Sequence, residues 1–198
     1  MTTTFFLIRH AAHSLLDGTL VGRMPNVHLS PSGQLQAERV SRRLAREKID
    51  LVQSSPQPRA IETAQPIAAS FNLACEIFGA IDEIDMGEWT GQTFQNLARR
   101  ADWQAWNTKR SLSRAPRGES MEEVQTRVVS HLEGTARKHP DHGVALISHA
   151  DVIKAALLSY LGMSLDHCDR IEIAPASLST LVVGDWGAKL LRLNEEAA

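Results

Sequence analysis

The chain has 198 residues, 21 Lys+Arg against 23 Asp+Glu, and is 43 % apolar and 22 % charged. That is the length of one domain and the make-up of an ordinary soluble globular protein, which excludes wholesale disorder. A net charge of −2 gives no support to a nucleic-acid-coating protein, and no apolar run approaches the roughly 18 residues of a membrane span. Cys75 and Cys168 stand alone, so neither a disulfide framework nor a cysteine zinc site is expected, and a cytoplasmic setting is. The opening run to His10 has no basic segment before its apolar stretch and reads as a strand, not a signal peptide. Eight histidines are many for this length, and their placement is the informative feature.

Residues 4–8 (TFFLI) form a short continuous apolar run, as a buried parallel strand does, and end in Arg9-His10. Residues 11–29, with Gly18, Gly22 and Pro25, read as loop. Ser30-Pro31 is a helix start, with Ser as N-cap and Pro in the first turn. The helix that follows should bury Leu35, Val40 and Leu44 and turn Arg39, Arg42, Arg43 and Arg46 to solvent. A strand over 50–53 leads to Ser54-Ser55-Pro56, and a helix from Pro58-Arg59 carries Ile61, Ala64, Ile67 and Ala68, with Pro66 expected to disturb it. Residues 73–78 read as a strand, 79–91 as a glycine-punctuated acidic segment and 92–118 as a helix-plus-loop excursion. Ser120-Met-Glu-Glu123 is a capping box opening an amphipathic helix to about Lys138. A buried strand over 143–147 ends in Ser148-His149, and a helix over 150–161 stops at Gly162. Strands are expected over 171–173, 178–183 and 190–193, the last two as a hairpin. Alternating strands and helices predict a three-layer α/β/α sandwich, its sheet mostly parallel with antiparallel edge strands near the C-terminus.

Ligands bind beyond the carboxyl ends of strands in such sheets. Three strand ends here carry Arg9-His10, Ser54-Ser55-Pro56 with Arg59, and Ser148-His149, so two histidines and two arginines should meet on one rim. Guanidinium groups suit phosphate oxygens, and a neutral imidazole among them is a nucleophile towards phosphorus. Such a cluster supports phosphoryl transfer by positioning and charge stabilisation without a metal or other cofactor. A proton for the leaving oxygen could come from Asp82, Glu83, Asp85 or Glu88, and spacing does not choose among them.

The chain resembles the histidine phosphatase superfamily in its phosphoglycerate mutase-like branch. The likeness rests on Leu7-Ile-Arg-His10, Leu29-Ser-Pro-Ser-Gly-Gln-Leu-Gln-Ala37, Ser54-Ser-Pro-Gln-Pro-Arg-Ala-Ile-Glu-Thr-Ala64, Glu83-Ile-Asp-Met-Gly-Glu-Trp-Thr-Gly91 and Leu146-Ile-Ser-His149, which occur in the family's order over nearly the whole chain. The resemblance implies that His10 becomes the phosphohistidine, that Arg9, Arg59 and His149 hold the phosphoryl oxygens, and that Glu83 is the general acid that later activates water. Gly22 stands where the family loop approaches phosphate by its backbone. Ala11 and Ala150 replace the glycines usual after the two histidines, His13 stands where Thr or Ser is common, and Leu16 where a polar residue often lies. These departures bear on the outer phosphate contacts, with His13 as a possible substrate contact.

His28, His131, His139, His142 and His167 read as ordinary surface or turn residues. The excursion 92–118 carries Arg99, Arg100, Lys109, Arg110, Arg114 and Arg117 against Asp102, a local charge of +5 over a body of −7. It is expected to cap the site, with Trp103 and Trp106 anchoring it. The chain is thus expected to be one domain that hydrolyses a small anionic phosphomonoester. The rivals are mutase-type transfer, a metallohydrolase built on His10-Ala-Ala-His13 and His149-Ala-Asp151, and a phospho-ligand binding module without turnover.

Overall fold

The computed structural model describes residues 1–197. Six strands form one sheet: β1 (Thr2–Arg9), β2 (Leu51–Ser54), β3 (Cys75–Ile77), β4 (Gly143–Ser148), β5 (Ser177–Gly184) and β6 (Gly187–Glu196). Their order is β3-β2-β4-β1-β5-β6, with β1 to β4 parallel and β5 and β6 antiparallel to their neighbours. The helices are α1 (Pro31–Leu44), α2 (Pro58–Phe71), α3 (Phe94–Leu97), α4 (Ala101–Thr108), α5 (Met121–Lys138) and α6 (Ala150–Tyr160). This is the expected α/β sandwich with its antiparallel strands at the C-terminal edge. Among the described residues no helix is long and apolar enough to cross a membrane.

The two central strands, β1 and β4, are apolar on both faces because each face is covered. Phe5, Leu7, Val144 and Leu146 join one core layer with α5 and α6, and Phe6, Ile8, Ala145 and Ile147 join the other with α1 and α2. Parallel pairing of Arg9 with Ser148 aligns the carboxyl ends of both strands, so His10 and His149 emerge side by side. Their neighbour β2 ends at Ser54 opposite Ile147 and delivers Ser55 to the same rim.

Local signals in the sequence act as expected at several helix ends. The Ser30 hydroxyl accepts from the Gly33 N–H, and Ser120 and Glu123 form the reciprocal capping box of α5. Helix α2 runs through Pro66 without a break. Three local expectations differ. Helix α1 buries Ala37, Val40, Ser41 and Leu44, one stripe at helical spacing, while Leu35 lies outside that stripe and is 57 % exposed. Arg43 lies against Glu195 at 2.6 Å instead of in open solvent. Residues 171–173 form no strand: the Ile173 carbonyl accepts from Arg9 Nη1 at 2.7 Å, and the Ala176 N–H is directed at the carbonyls of Arg9 and His10. Through these bonds the segment and the residues just after it meet the end of β1, and among the described residues it has no ladder partner.

The excursion is built into the body. Leu97 and Trp106 are fully buried in the same core layer as Trp89, with Trp89 and Trp106 edge-to-face at 5.6 Å between ring centres. Four of its six basic side chains are paired: Arg100 with Asp102, Arg110 with Asp151, Arg114 with Glu123 and Arg117 with Glu88.

Helix α1 approaches the loop after β1 closely enough that a β-carbon at Gly33 would stand 2.0 Å from the Ala12 carbonyl oxygen. Gly33→Ala is therefore expected to cost about 1–3 kcal/mol as an overpacked contact. The check is the urea unfolding midpoint, which should fall at constant slope; an unchanged midpoint would show that the loop at Ala12 yields freely.

Candidate active site

His10, Arg59 and His149 are each at most 3 % exposed and lie together at the carboxyl ends of β1, β2 and β4. The His10 and His149 rings are 5.1 Å apart and the His10 and His13 rings 5.4 Å. His10 Nδ1 is 2.9 Å from the Ala11 carbonyl, which can only accept, so Nδ1 carries the proton and Nε2 presents its lone pair. Arg59 Nε–H points at that Nε2 from 3.3 Å. Burial, then the neighbouring His149 and Arg59, hold the His10 pKa well below the ordinary imidazole value, so the ring is neutral.

The same motif residues that define the helices also fix the loop after His10. The Thr63 hydroxyl donates to the Arg59 carbonyl at 2.7 Å and accepts the Ala11 N–H at 3.0 Å. The Gln36 side chain accepts the Ala12 N–H, and Ser30 N–H donates to the Ala12 carbonyl. Neither Ala11 nor Ala150 has a positive φ, so the usual glycines are not required here for backbone freedom. Gly22 does, at φ +48°, and its carbonyl accepts from Arg59 Nη2 at 2.9 Å.

Glu83 is the one of the four candidate carboxylates whose oxygen faces this cluster: Oε2 is 3.3 Å from His149 Nδ1 and 3.6 Å from Arg59 Nη2. Burial opposes its ionisation, but the adjacent His149 and Arg59 outweigh it and hold the carboxyl well below the usual range. Asp82 turns the other way and accepts from the Ser55 hydroxyl, the Gln57 amide and the Glu83 N–H. Asp85 accepts the Gly87 N–H, and Glu88 pairs with Arg117. The His149 ring has two hydrogen-bonded tautomers. With the proton on Nε2 it donates to Ser55 Oγ, 2.8 Å away, which in turn donates to Asp82, and Nδ1 accepts from Arg59; with the proton on Nδ1 it donates to Glu83, and Nε2 can accept from Ser55 only in place of Asp82.

Three buried polar atoms here have no protein partner: Arg9 Nε, Arg59 Nη1 and His13 Nδ1. Buried donors are normally satisfied, so the two unpartnered guanidinium positions could each serve an anion's oxygen. Burial lowers the His13 pKa to about 4, so its ring too is neutral. One nitrogen each of His10 and His149 and a Glu83 oxygen lie within 4.8 Å of one another, a spacing a metal ion could bridge. The permanent charge of Arg59 stands among these three, which disfavours a second cation. Asp151, the other metal candidate, is bound to Arg110 at 2.6 Å.

Ser55 was named in the sequence only as part of a strand end, and Gln57 only within the motif over 54–64; the structure adds that Ser55 bonds His149 and Asp82 and that Gln57 bonds Asp82. Arg23, Glu119 and Arg127 also border the site and gave no local sign.

The family model for the histidine phosphatase superfamily (branch 1) matches residues 5–196. Phosphoserine phosphatase 1 of Hydrogenobacter thermophilus is 30 % identical over 193 residues, covering 95 % of this chain and 90 % of that protein. Phosphoglycerate mutase-like protein 4 of Arabidopsis thaliana is 32 % identical over 155 residues, 75 % of this chain and 67 % of that one. The structure of YhfR from Bacillus stearothermophilus superposes with a TM-score of 0.91 at 21 % identity, covering 98 % of this chain and 97 % of that one, which shows a shared fold.

Because His10 and His13 are buried neutral, unfolding releases them to bind protons more readily. Stability should therefore be full above about 6.5 and fall as pH drops towards about 4, where folded His13 itself titrates. Urea unfolding free energies across that range should decline less steeply in His13→Asn than in the parent chain; parallel curves would show that His13 is not protected from protons.

The family match over nearly the full length, with a relative 30 % identical over 95 % of the chain, makes this chain a member of branch 1 of the histidine phosphatase superfamily and an enzyme of its phosphomonoesterase type.

Proposed function

We propose that the protein hydrolyses a small phosphomonoester through a phosphohistidine on His10. The observation that carries this reading is the neutral, Nδ1-protonated His10 ring, its Nε2 lone pair facing Arg59, with Arg9 Nε and Arg59 Nη1 unspent beside it. The arginines and His149 hold the phosphoryl oxygens as charge spreads over them. His13 offers a further neutral ring to the bound group, and the Gly22 carbonyl orients Arg59.

In the first step a substrate monoanion gives its proton to Glu83, whose carboxylate is ionised until a phosphate arrives to share Arg59. His10 Nε2 then attacks phosphorus, the bond to the leaving oxygen breaks, and Glu83 returns the proton to that oxygen. The new imidazolium is stabilised through its Nδ1–H on the Ala11 carbonyl. In the second step Glu83 takes a proton from water, the water oxygen attacks phosphorus, the N–P bond breaks to leave neutral His10, and Glu83 passes its proton to the departing phosphate, which restores the ionised carboxylate.

Hydrolysis is favoured over mutase-type transfer because the excursion 92–118 is short and much of its apolar surface is spent inside the core. We read this excursion as a small cap of the single domain, held by Arg110 on Asp151, two residues beyond His149. The relationship to a phosphoserine phosphatase makes phosphoserine the first substrate to try, with phosphoglycerates the discriminating second: inorganic phosphate as product supports hydrolysis, an isomeric phosphoglycerate the mutase.

His10→Ala should abolish acid-labile phosphoenzyme after a rapid quench, and any label retained at full level would overturn the assignment. Arg59→Ala should lower kcat/KM by about 10²–10³, as for loss of one transition-state donor. Glu83→Gln should let phosphoenzyme accumulate, and undiminished turnover would exclude it as the acid. Chelation with EDTA should leave the rate unchanged; loss restored by added metal would favour a metallohydrolase.

A further inference from the structure

Glu83 stands in a stretch, 82–86, that is neither helix nor strand. Backbone of that kind has no ladder or helical hydrogen bonds to hold it, yet a proton donor must sit within hydrogen-bond reach of one oxygen. The restraint comes from three side chains of other segments. Glu119, just before α5, accepts the Asp85 N–H at 2.9 Å through Oε2. The same oxygen accepts from Arg23 Nη2 at 2.9 Å and Arg127 Nη2 at 3.1 Å, and Oε1 accepts from Arg127 Nε at 2.9 Å. The two guanidinium groups then converge on one atom, the carbonyl oxygen of Glu83 itself, at 2.8 Å from Arg23 Nε and 3.1 Å from Arg127 Nη2. Arg127 also donates to the Ala80 carbonyl at 2.9 Å. So the backbone on both sides of Glu83 is held by one carboxylate and two forked cations, and Arg23 adjoins Gly22, whose carbonyl orients Arg59.

We propose that Glu119, Arg127 and Arg23 are positioning residues that set the Glu83 carboxylate for proton transfer to the leaving oxygen. None of the three bonds to His10, Arg59 or His149, so the clamp acts through the peptide that carries Glu83. The proposal rests on the reading of Glu83 as general acid. Its signature is chemical: an alkoxide leaving group needs the proton, whereas 4-nitrophenolate leaves readily without it. A shift of the carboxylate by about 1 Å costs about 10²-fold where positioned proton transfer limits the step.

The test measures the burst rate of phosphoenzyme formation with glycerol 2-phosphate and with 4-nitrophenyl phosphate, in the parent chain, Glu119→Gln, Arg23→Gln, Arg23→Lys and Glu83→Gln. Glu119→Gln should lower the alkyl rate about 10–100-fold and leave the aryl rate within about threefold. Arg23→Gln should lower the alkyl-to-aryl ratio about tenfold, with Arg23→Lys recovering part of it. Arg23 is about one-third exposed, so its variants carry the test if circular dichroism shows Glu119→Gln unfolded. Equal losses on both esters, or none on either, overturn the clamp. If Glu83→Gln is itself selective against the alkyl ester while the clamp variants are not, the clamp alone fails. If Glu83→Gln loses both esters alike, the reading of Glu83 fails and the clamp with it.

Discussion

Arg59 is a permanently charged side chain with no solvent exposure, and the site is organised around making that tolerable. An uncompensated buried guanidinium would cost several kcal/mol. Here its nitrogens meet the Gly22 carbonyl, His10 Nε2 and His149 Nδ1, with the Glu83 carboxylate the nearest negative charge. Each partner is itself constrained by the need to serve Arg59. Gly22 takes a left-handed backbone, with Met86 and Thr90 close against it. Thr63, one turn along α2, ties the Arg59 carbonyl to the loop that holds His10. Burial is the largest influence holding His10 and His149 below the ordinary imidazole value, and the Arg59 charge adds to it; for Glu83 the adjacent His149 and then Arg59 outweigh burial and favour the ionised carboxylate.

That arrangement explains why the family's glycines can be alanines at 11 and 150. Glycine matters where φ is positive or where backbones collide, as at Gly22 and Gly33, and neither condition holds after the two histidines. Ala150 is the first residue of α6, a position that suits alanine well.

Most of the sheet was legible because β1 and β4 are buried on both faces and so read as unbroken apolar runs, and because serine caps announce α1 and α5. The rim residues Arg9, His10 and His149 were legible for the same reason: a charged or polar residue at the end of such a run has one place to go, whereas Arg59, in the first turn of α2, was legible through the motif over 54–64. The selection of Glu83 from four carboxylates was not, since Asp82 and Asp85 differ from it only in which partners fold around them. Residues 171–173 resemble a strand locally, but the Ile173 carbonyl is taken by Arg9, and the Ala176 N–H just beyond by the carbonyls of Arg9 and His10, about 160 positions away. Glu119 is hidden more thoroughly. Beside Ser120 it reads as part of a helix start, and its bonds to Arg23 and Asp85 are visible only once the chain has closed.

The excursion 92–118 shows how a charge count can mislead about a field. Its six basic residues suggest a positive surface drawing anions inward, yet four are neutralised at contact distance. Exposed pairs of this kind add little stability, but they cancel the far field of each cation beyond a few ångströms. The positive charge without a bonded partner lies instead on the buried atoms Arg9 Nε and Arg59 Nη1, where a charge is screened far less than at the surface. Arg110 makes the connection mechanical: it stacks over Trp106 in the core and bonds Asp151 in the first turn of α6. The excursion is therefore joined by a direct ion pair to the first turn of the helix that His149 caps. Its basic residues are taken up chiefly in tying segments together, and the guanidinium positions without a bonded partner lie on Arg9 and Arg59 instead.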